Sequence, residues 1–250
     1  MTLSNRVYGQ PGDEFSIRAT QKDMRLGTIM EMSNGDEFVY LKNGAVELAV
    51  GRLVQQAAVT SGHGVDVAVA VAAAVGATSV TITNKTTAIT KDMYADGTLF
   101  VNDEAGEGYH YRIKSHPAEA TLTGTCVITL YEQTPIQVAL TVASQVGLRK
   151  NKYQDVIVAP TAFTGIIVGA TVRVVTAAYY FWAKKLGDAV MLTNGTVILG
   201  KAFTRSGAVA GAIDVYPLNS VDASGQEPML GTVQSVGATG EYSLCYLNIQ

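Results

Sequence analysis

Three histidines, His63, His110 and His116, are the residues of this 250-residue chain best suited to general-base or metal-binding chemistry. Either role requires histidines to converge with carboxylates, and the spacing of these three along the chain does not enforce convergence. His110 alternates with Tyr109 and Tyr111, which favours an ordinary surface or partly packed side chain on a strand. We therefore predict neither a catalytic histidine nor a histidine metal site.

One loop, Asp103 to Glu107, holds three carboxylates in five residues. Carboxylate oxygens suit calcium, but the spacing departs from the alternating acidic positions and glycine of a calcium-binding loop, so a solvated turn is the favoured interpretation. The same carboxylates are also the only dense candidates for the paired acid and base of a glycan-cleaving enzyme. The sequence predicts no metal site here.

Familiar catalytic sequence motifs are absent from the chain. It contains no phosphate-binding loop ending in Lys-Ser/Thr, no dinucleotide-binding Gly-x-Gly-x-x-Gly after a strand, no Gly-x-Ser-x-Gly and no His-Glu-x-x-His. Cys126 and Cys245 lie in alternating apolar segments without metal-ligand spacing, which favours reduced core residues and leaves their pairing open. We predict that the protein is not an enzyme and holds no cofactor.

Four consecutive aromatic residues, Tyr179, Tyr180, Phe181 and Trp182, form the most conspicuous candidate for binding. A strand at this position presents rings on both of its faces, and one face is expected to fill the core. The other face is a candidate contact surface, because Tyr and Trp bury a large area at low entropic cost. Complete burial of all four rings is the alternative.

The composition limits the class of protein to which these candidate residues belong. Hydrophobic residues make up 48% and charged residues 16% of the chain, enough for a sizeable core. The 18 basic and 21 acidic residues are spread along the chain, which disfavours direct binding of nucleic acid. The longest glycine-free apolar run, Val67 to Val75, is about half of the roughly 18 residues that a membrane-spanning helix needs, and the polar N-terminus does not resemble a secretory signal.

The secondary-structure signals favour β-sheet. The sequence contains 69 β-branched residues against 17 leucines. Period-two alternation predicts strands at Val65–Val71, Thr125–Tyr131 and Tyr242–Ile249, and Asn34-Gly35 predicts a hairpin. Predicted strands at about 8–12-residue spacing indicate a mostly β protein of antiparallel sandwich or barrel-like domains.

One short N-terminal helix is expected in addition. Asn43 is a suitable N-cap, and apolar residues recur at helical spacing until the helix ends near Ala58: Val46, Val50, Leu53, Val54 and Ala57. Residues 1–27 have the composition of an extended arm. The predicted organisation is therefore an arm, hairpin and helix over 1–60, a β domain over 61–147 and a C-terminal β domain over 148–250.

Several segments spread over roughly residues 90–250 combine strand and turn residues in a distinctive order. They are Tyr94–Asp103, Gly106–Ser115, Tyr180–Trp182 with Gly187 and Asn194–Thr196, and the positions Gly200, Ser206, Ala208, Val209, Leu230-Gly231, Gly240–Tyr242 and Leu247. Together they resemble structural proteins of tailed-bacteriophage virions, in particular capsid decoration (cement) proteins.

This resemblance implies a virion protein that is made in the host bacterial cytoplasm and resides on the outer capsid surface. Its expected partner is the major capsid protein, and its expected role is to clamp neighbouring capsomers against the pressure of packed DNA. Self-association as a dimer or trimer is also expected, without direct contact to nucleic acid or membrane. The N-terminal arm, with Phe15 and Ile17 as candidate contact residues, is expected to add a strand to an exposed sheet edge of a neighbour.

Three other functions remain alternatives. A receptor- or glycan-binding head fibre or tail protein would use Tyr179–Trp182 as a sugar-stacking platform. A polysaccharide-degrading spike would use the carboxylates of the Asp103–Glu107 loop. The major capsid protein itself ranks last among the viral options, because its fold uses a long spine helix and the predicted helix is short.

Overall fold

The computed structural model describes residues 5–22, 24–216 and 227–249. The chain divides into two compact units, one formed by residues 1–57 and 153–250 and the other by residues 58–152. Both are built almost entirely from β-strands, as the composition predicted. We call the first the open-sheet unit and the second the barrel unit.

The open-sheet unit contains twelve strands that belong to one hydrogen-bonded sheet. Eight of them follow one another in the order β1-β3-β4-β14-β18-β17-β15-β16, and the other four pair alongside this path. The strands of this unit are β1 (Arg6–Tyr8), β2 (Ile17–Arg18), β3 (Ile29–Glu31), β4 (Glu37–Lys42), β5 (Leu53–Gln55), β12 (Ile157–Val158), β13 (Ile167–Thr171), β14 (Tyr180–Leu192), β15 (Ala202–Arg205), β16 (Ile213–Val215), β17 (Gly231–Ser235) and β18 (Tyr242–Asn248).

The long strand β14 organises this sheet. Its first half pairs antiparallel with β4, placing Trp182 opposite Tyr40, and its second half pairs antiparallel with β18, placing Val190 opposite Leu244. Strands from the two ends of the chain therefore share one sheet. This arrangement differs from the separation of 1–60 and 148–250 expected from sequence, because local composition carries no information on pairing between strands about 140 residues apart.

The predicted helix from Asn43 to Ala58 does not form, and this expectation was wrong. The segment contains β5, which pairs with β12 and β13. Asn43 is buried, and its side-chain amide donates to the carbonyl oxygens of Val46, Val175 and Thr176. Partners supplied by a distant segment, together with helix-weakening glycines at positions 44 and 51, outweigh the apolar spacing.

The hairpin at Asn34-Gly35 forms as predicted, with Gly35 at φ +86° between β3 and β4. The N-terminal segment is not a free arm in its described part. Its strand β1 pairs in parallel with β3, and β2 pairs with β14 of the same chain. β1 and β2 thus extend the sheet of their own chain through backbone hydrogen bonds, and the addition of a strand to a neighbour's sheet stays a prediction.

The barrel unit is a closed sheet of six strands in the order β10-β7-β6-β11-β8-β9. Its core consists of alternating inward residues, among them Val67, Ile82, Leu99 and Ile128. The strands are β6 (Val67–Val71), β7 (Ser79–Thr83), β8 (Thr98–Asp103), β9 (His110–Ser115), β10 (Thr125–Leu130) and β11 (Gln145–Arg149). Closure leaves this sheet without unpaired edge strands.

Candidate interaction surface

The run of four aromatic residues contributes to the core on both faces of the sheet, at the start of β14 and at the residue that precedes it. Phe181 packs in one apolar cluster with Val39 and Leu41, and Trp182 packs in another with Tyr40. Tyr179 and Tyr180 are half-buried against these same clusters. Phe181 and Trp182 are therefore core residues and not exposed contact residues, whereas Tyr179 and Tyr180 keep partly exposed surface and their role in contacts stays a prediction.

An exposed apolar face lies instead at the other end of β14. Strand β18 alternates strictly, with Tyr242, Leu244 and Tyr246 directed outward and the intervening Ser243 and Cys245 buried. On the neighbouring strand, Val190 lies opposite Leu244 and is also exposed. We call Val190, Tyr242, Leu244 and Tyr246 the apolar face.

Polar side chains border the apolar face. Asp188 lies opposite Tyr246, and its carboxylate accepts a hydrogen bond of 2.7 Å from the Gln234 amide. Thr232 lies opposite Tyr246 on the other side of β18. An apolar centre with Tyr residues and a polar rim is the usual anatomy of a protein–protein interface.

A cleft of about 410 Å³ adjoins this face and shares Val190 with it. Phe15, at the end of the 3₁₀ turn Asp13–Phe15, lines the cleft and is about half exposed. The Arg173 guanidinium donates a hydrogen bond to the Phe15 carbonyl oxygen and so connects this turn to the segment after β13 in the open-sheet unit. Phe15 is thus partly exposed, and its role as a contact residue stays a prediction.

Ile17, the second contact residue expected in the N-terminal segment, has a different environment. It lies in β2 opposite Phe181 and packs against the apolar cluster of that ring. Ile17 therefore contributes to the core rather than to an exposed contact surface.

An ion pair lies in the wall of the cleft. Lys184 Nζ lies 2.6 Å from Asp36 Oδ2, and the two side chains are only 8% and 17% exposed. The ammonium group also donates to the Asp188 carbonyl oxygen and sits 5.1 Å from the centre of the Phe38 ring. A positive φ of +104° and the absence of a side chain at Gly187 permit Asp36 to approach, since a Cβ there would lie 1.8 Å from Asp36 Oδ1.

The ion pair is held in place by its neighbours. The Lys184 charge is neutralised by Asp36, and the hairpin turn holds Asp36 in place through Asn34, whose amide donates to Asp36 Oδ2. The wall of the cleft therefore contains a compensated charge pair with fixed polar groups.

Two of the histidines converge, which their spacing did not indicate. In the barrel unit, His63 Nδ1 lies 2.6 Å from the Tyr94 hydroxyl, and the Tyr94 backbone N–H donates to His116 Nε2. His63 Nε2 faces two acceptors, Asn84 Oδ1 and the Thr87 carbonyl, so this nitrogen carries the proton and Nδ1 accepts from Tyr94.

This network is fully occupied by the protein itself. His116 Nδ1 bonds to the Pro117 carbonyl oxygen, so both ring nitrogens of each histidine have partners. Burial raises the pKa of the Tyr94 hydroxyl above its ordinary value. The cluster therefore stabilises the barrel core, and His110 lies apart from it on the exterior.

The remaining sequence candidates are the carboxylate loop and the two cysteines. Asp103 ends β8 and Glu104 begins the exposed connection to β9, with Glu104 at φ +65°. Within the described ranges, no three His, Cys, Asp or Glu side chains are grouped to hold a metal ion. Cys126 and Cys245 are buried free thiols in the cores of different units, and burial raises their pKa values to about 11 and about 12.

The sequence analysis missed the apolar face, although β18 was predicted. The signal is present: Tyr242, Leu244 and Tyr246 are as apolar as the residues that alternate with them, so both faces of this strand are hydrophobic. Alternation alone does not tell which face is covered. The Lys184–Asp36 pair, by contrast, joins positions 148 residues apart and has no local signal.

In the part of the chain that the structure describes, no helix is long and apolar enough to cross a membrane. Comparisons of the chain with protein-family models, with curated proteins and with solved structures find no match. The function must therefore be inferred from the geometry of the apolar face and its cleft.

Proposed function

We propose that this chain is a structural virion protein that binds the outer surface of a phage capsid and clamps neighbouring capsomers. The observation that carries the proposal is the apolar face: four large exposed side chains on adjacent strands that continue into the cleft beside Phe15. Contiguous exposed apolar surface rimmed by polar groups is typical of a protein–protein contact.

The proposed partner is the major capsid protein. The sequence resemblance to capsid decoration proteins includes Gly240–Tyr242 and Leu247, which belong to β18 or directly precede it, and Gly187 beneath the Asp36 side chain. The segments that resemble decoration proteins therefore include those that build the apolar face and the wall of its cleft. This coincidence favours the capsid surface over other protein partners.

The mechanism is passive. Packed DNA loads a capsid outward at its capsomer seams, and a β unit bound across a seam adds buried apolar area that must be lost before the seam opens. Each copy then needs only modest affinity, because a dimer or trimer multiplies binding through a high effective concentration. No bond is made or broken in this role.

Binding to shells tests the proposal directly. Shells assembled from the major capsid protein encoded with this chain are mixed with the purified protein and sedimented. We expect wild-type protein to cosediment and the double variant Leu244→Ser, Tyr246→Ser to lose at least tenfold in occupancy, because its outward contacts are removed. Phe15→Ser is expected to weaken binding less, since it alters only the cleft.

A matched control separates a specific face from general stickiness. Val71 and Val127 are exposed valines of the barrel unit, and the double variant Val71→Ser, Val127→Ser is expected to bind like wild type. Equal loss in both double variants would contradict the proposed face. Absence of wild-type cosedimentation, or particles lacking the protein that withstand heat and osmotic shock as well as complete particles, would contradict the function.

A further inference from the structure

A second cavity in the open-sheet unit shares no residue with the apolar face or its cleft. It has a volume of about 360 Å³, within the range of small-molecule sites. Its walls are almost entirely apolar. They come from the segment that leads into β13, the end of β15, the residues directly before β17 and the residue after β18, and they include Phe163, Ile166, Ile167, Arg205, Leu230 and Ile249.

Arg205 is the exception in this apolar lining. Its side chain belongs to the last residue of β15 and is 4% exposed. The guanidinium carbon lies 3.4 Å from the centre of the Phe163 ring, and Nη1 donates a 2.7 Å hydrogen bond to the Pro160 carbonyl oxygen. A buried cation is thus held in position by one aromatic face and one backbone acceptor.

The charge of Arg205 has no carboxylate partner among the residues that the structure describes. Its Nε is buried and without a hydrogen-bond acceptor there. Burial lowers the pKa of the guanidinium, and the negative charge of Glu227 opposes this effect. A guanidinium offers five N–H donors, so the site retains unused capacity for an anion.

A buried charge without an ion pair is costly to a fold, and functional sites often retain such costs. The cavity walls are fixed from several sides. The Leu230 amide donates to Phe203, the Thr204 hydroxyl donates to the Pro228 carbonyl, and Ile249 follows β18 directly. Most residues that line the space beside Arg205 lie just outside strands, and these hydrogen bonds hold the segment before β17 to β15.

We propose that this cavity binds a small aliphatic carboxylate. The carboxylate pairs with Arg205, and the hydrocarbon chain lies against Ile166, Ile167 and Leu230, with Met229 and Ile249 completing the apolar wall. Arginine and carboxylate form short, charge-assisted hydrogen bonds, which explains a cation at the base of an otherwise hydrophobic space. The lining supplies no polar side chain besides Arg205, and a saturated hydrocarbon chain requires none.

Sodium octanoate is the probe, titrated into the full-length protein by isothermal calorimetry, with octanamide as the neutral analogue of the same length. We expect saturable 1:1 binding of octanoate with a Kd below about 1 mM, a ceiling set by roughly ten non-hydrogen atoms at modest ligand efficiency. Octanamide is expected to bind at least tenfold more weakly, because it cannot neutralise Arg205.

Two variants place the binding at this cavity. Arg205→Gln is expected to weaken octanoate at least tenfold and to reduce the preference for octanoate over octanamide. Should this buried change impair folding, Met229→Glu tests the same site from an exposed wall position and is expected to repel octanoate at least tenfold. Arg149→Gln, which alters an exposed arginine of the barrel unit, is the matched control and is expected to bind normally.

The outcomes separate clearly. Equal affinity for octanoate and octanamide, unchanged octanoate binding in Met229→Glu, or no saturable octanoate binding by wild-type protein would each overturn the proposal. None of these results depends on capsid shells, so the carboxylate site and the clamping function are tested independently of each other.

Discussion

The two units of this chain differ in the polarity of the residues at outward-facing strand positions. Apolar residues at exposed or partly exposed strand positions of the barrel unit include Ala68, Val71, Phe100 and Val127, but most of these positions are polar: Ser79, Thr81, Thr83, His110, Arg112, Lys114 and Thr125. On the open-sheet unit, β18 and the adjoining part of β14 carry Val190, Tyr242, Leu244 and Tyr246 outward. A sequence this rich in threonine is able to cover a sheet with polar residues, so the apolar face is a property of one region rather than of the composition.

Buried polar groups reveal a second difference. The barrel unit encloses a network of neutral groups around Tyr94, whereas the open-sheet unit encloses charges, the Lys184–Asp36 pair and Arg205. Neutral networks stabilise a core once every member is bonded, whereas buried charges require a compensating charge. The open-sheet unit thus combines the features expected of contact and binding, and the barrel unit those of a rigid body.

The largest expected effect comes from breaking the Lys184–Asp36 pair. Lys184→Met leaves the Asp36 carboxylate largely buried without its cation, and we expect a loss of about 3 kcal/mol in the free energy of unfolding. Denaturant unfolding of the purified variant measures it. The adjacent Lys185→Met is the matched control and is expected to change stability by less than about 0.5 kcal/mol.

The double variant Lys184→Met, Asp36→Leu sharpens this test. Removing both charges eliminates the unpaired carboxylate, so much of the lost stability is expected to return. If the single and double variants are equally destabilised, packing around the aliphatic part of Lys184 rather than its charge accounts for the effect.

The neutral network of the barrel unit is expected to be less sensitive. Tyr94→Phe removes the hydroxyl that donates to His63 Nδ1 and leaves a buried acceptor without a partner, at a cost of about 2 kcal/mol. The exposed Tyr109→Phe is the control. Because each unit has its own core, hydrogen exchange should show the loss in residues 58–152, and a loss spread equally over both units would refute their independence.

The strands were predictable from sequence to a much greater degree than their pairing. Alternation at Val65–Val71 and Tyr242–Ile249 reflects the two faces of a strand, a local property. The false helix at Asn43–Ala58 shows the limit of local patterns: Val46, Val50 and Val54 have helical spacing, but hydrogen bonds from Asn43 to a segment about 130 residues away decide the conformation. Burial of Tyr179–Trp182 depends on the same kind of distant packing.

A glycine-to-alanine substitution made in one turn of each unit has a smaller expected effect and tests whether the two turns are equivalent. Gly35 in the open-sheet unit and Gly76 in the barrel unit have φ values of +86° and +88°, and a Cβ at either position would meet no neighbouring atom within 4 Å. Replacing either glycine by alanine therefore adds only backbone strain, about 1 kcal/mol. We expect equal costs, each confined to its own unit in hydrogen exchange, and a larger cost for Gly35→Ala would show that its hairpin, which carries Asp36, is under additional constraint.

The smallest expected effect concerns the apolar face itself. Leu244→Thr and Tyr246→Thr keep a residue suited to strands and remove only outward apolar surface, so each is expected to change the free energy of unfolding by no more than about 0.5 kcal/mol. Val127→Thr on the barrel unit is the matched control and should behave alike. Denaturant midpoints of the three variants measure this. A loss above about 1.5 kcal/mol at Leu244 or Tyr246 alone would mean that these side chains support the fold, and the face would then be structural rather than a surface kept for a partner.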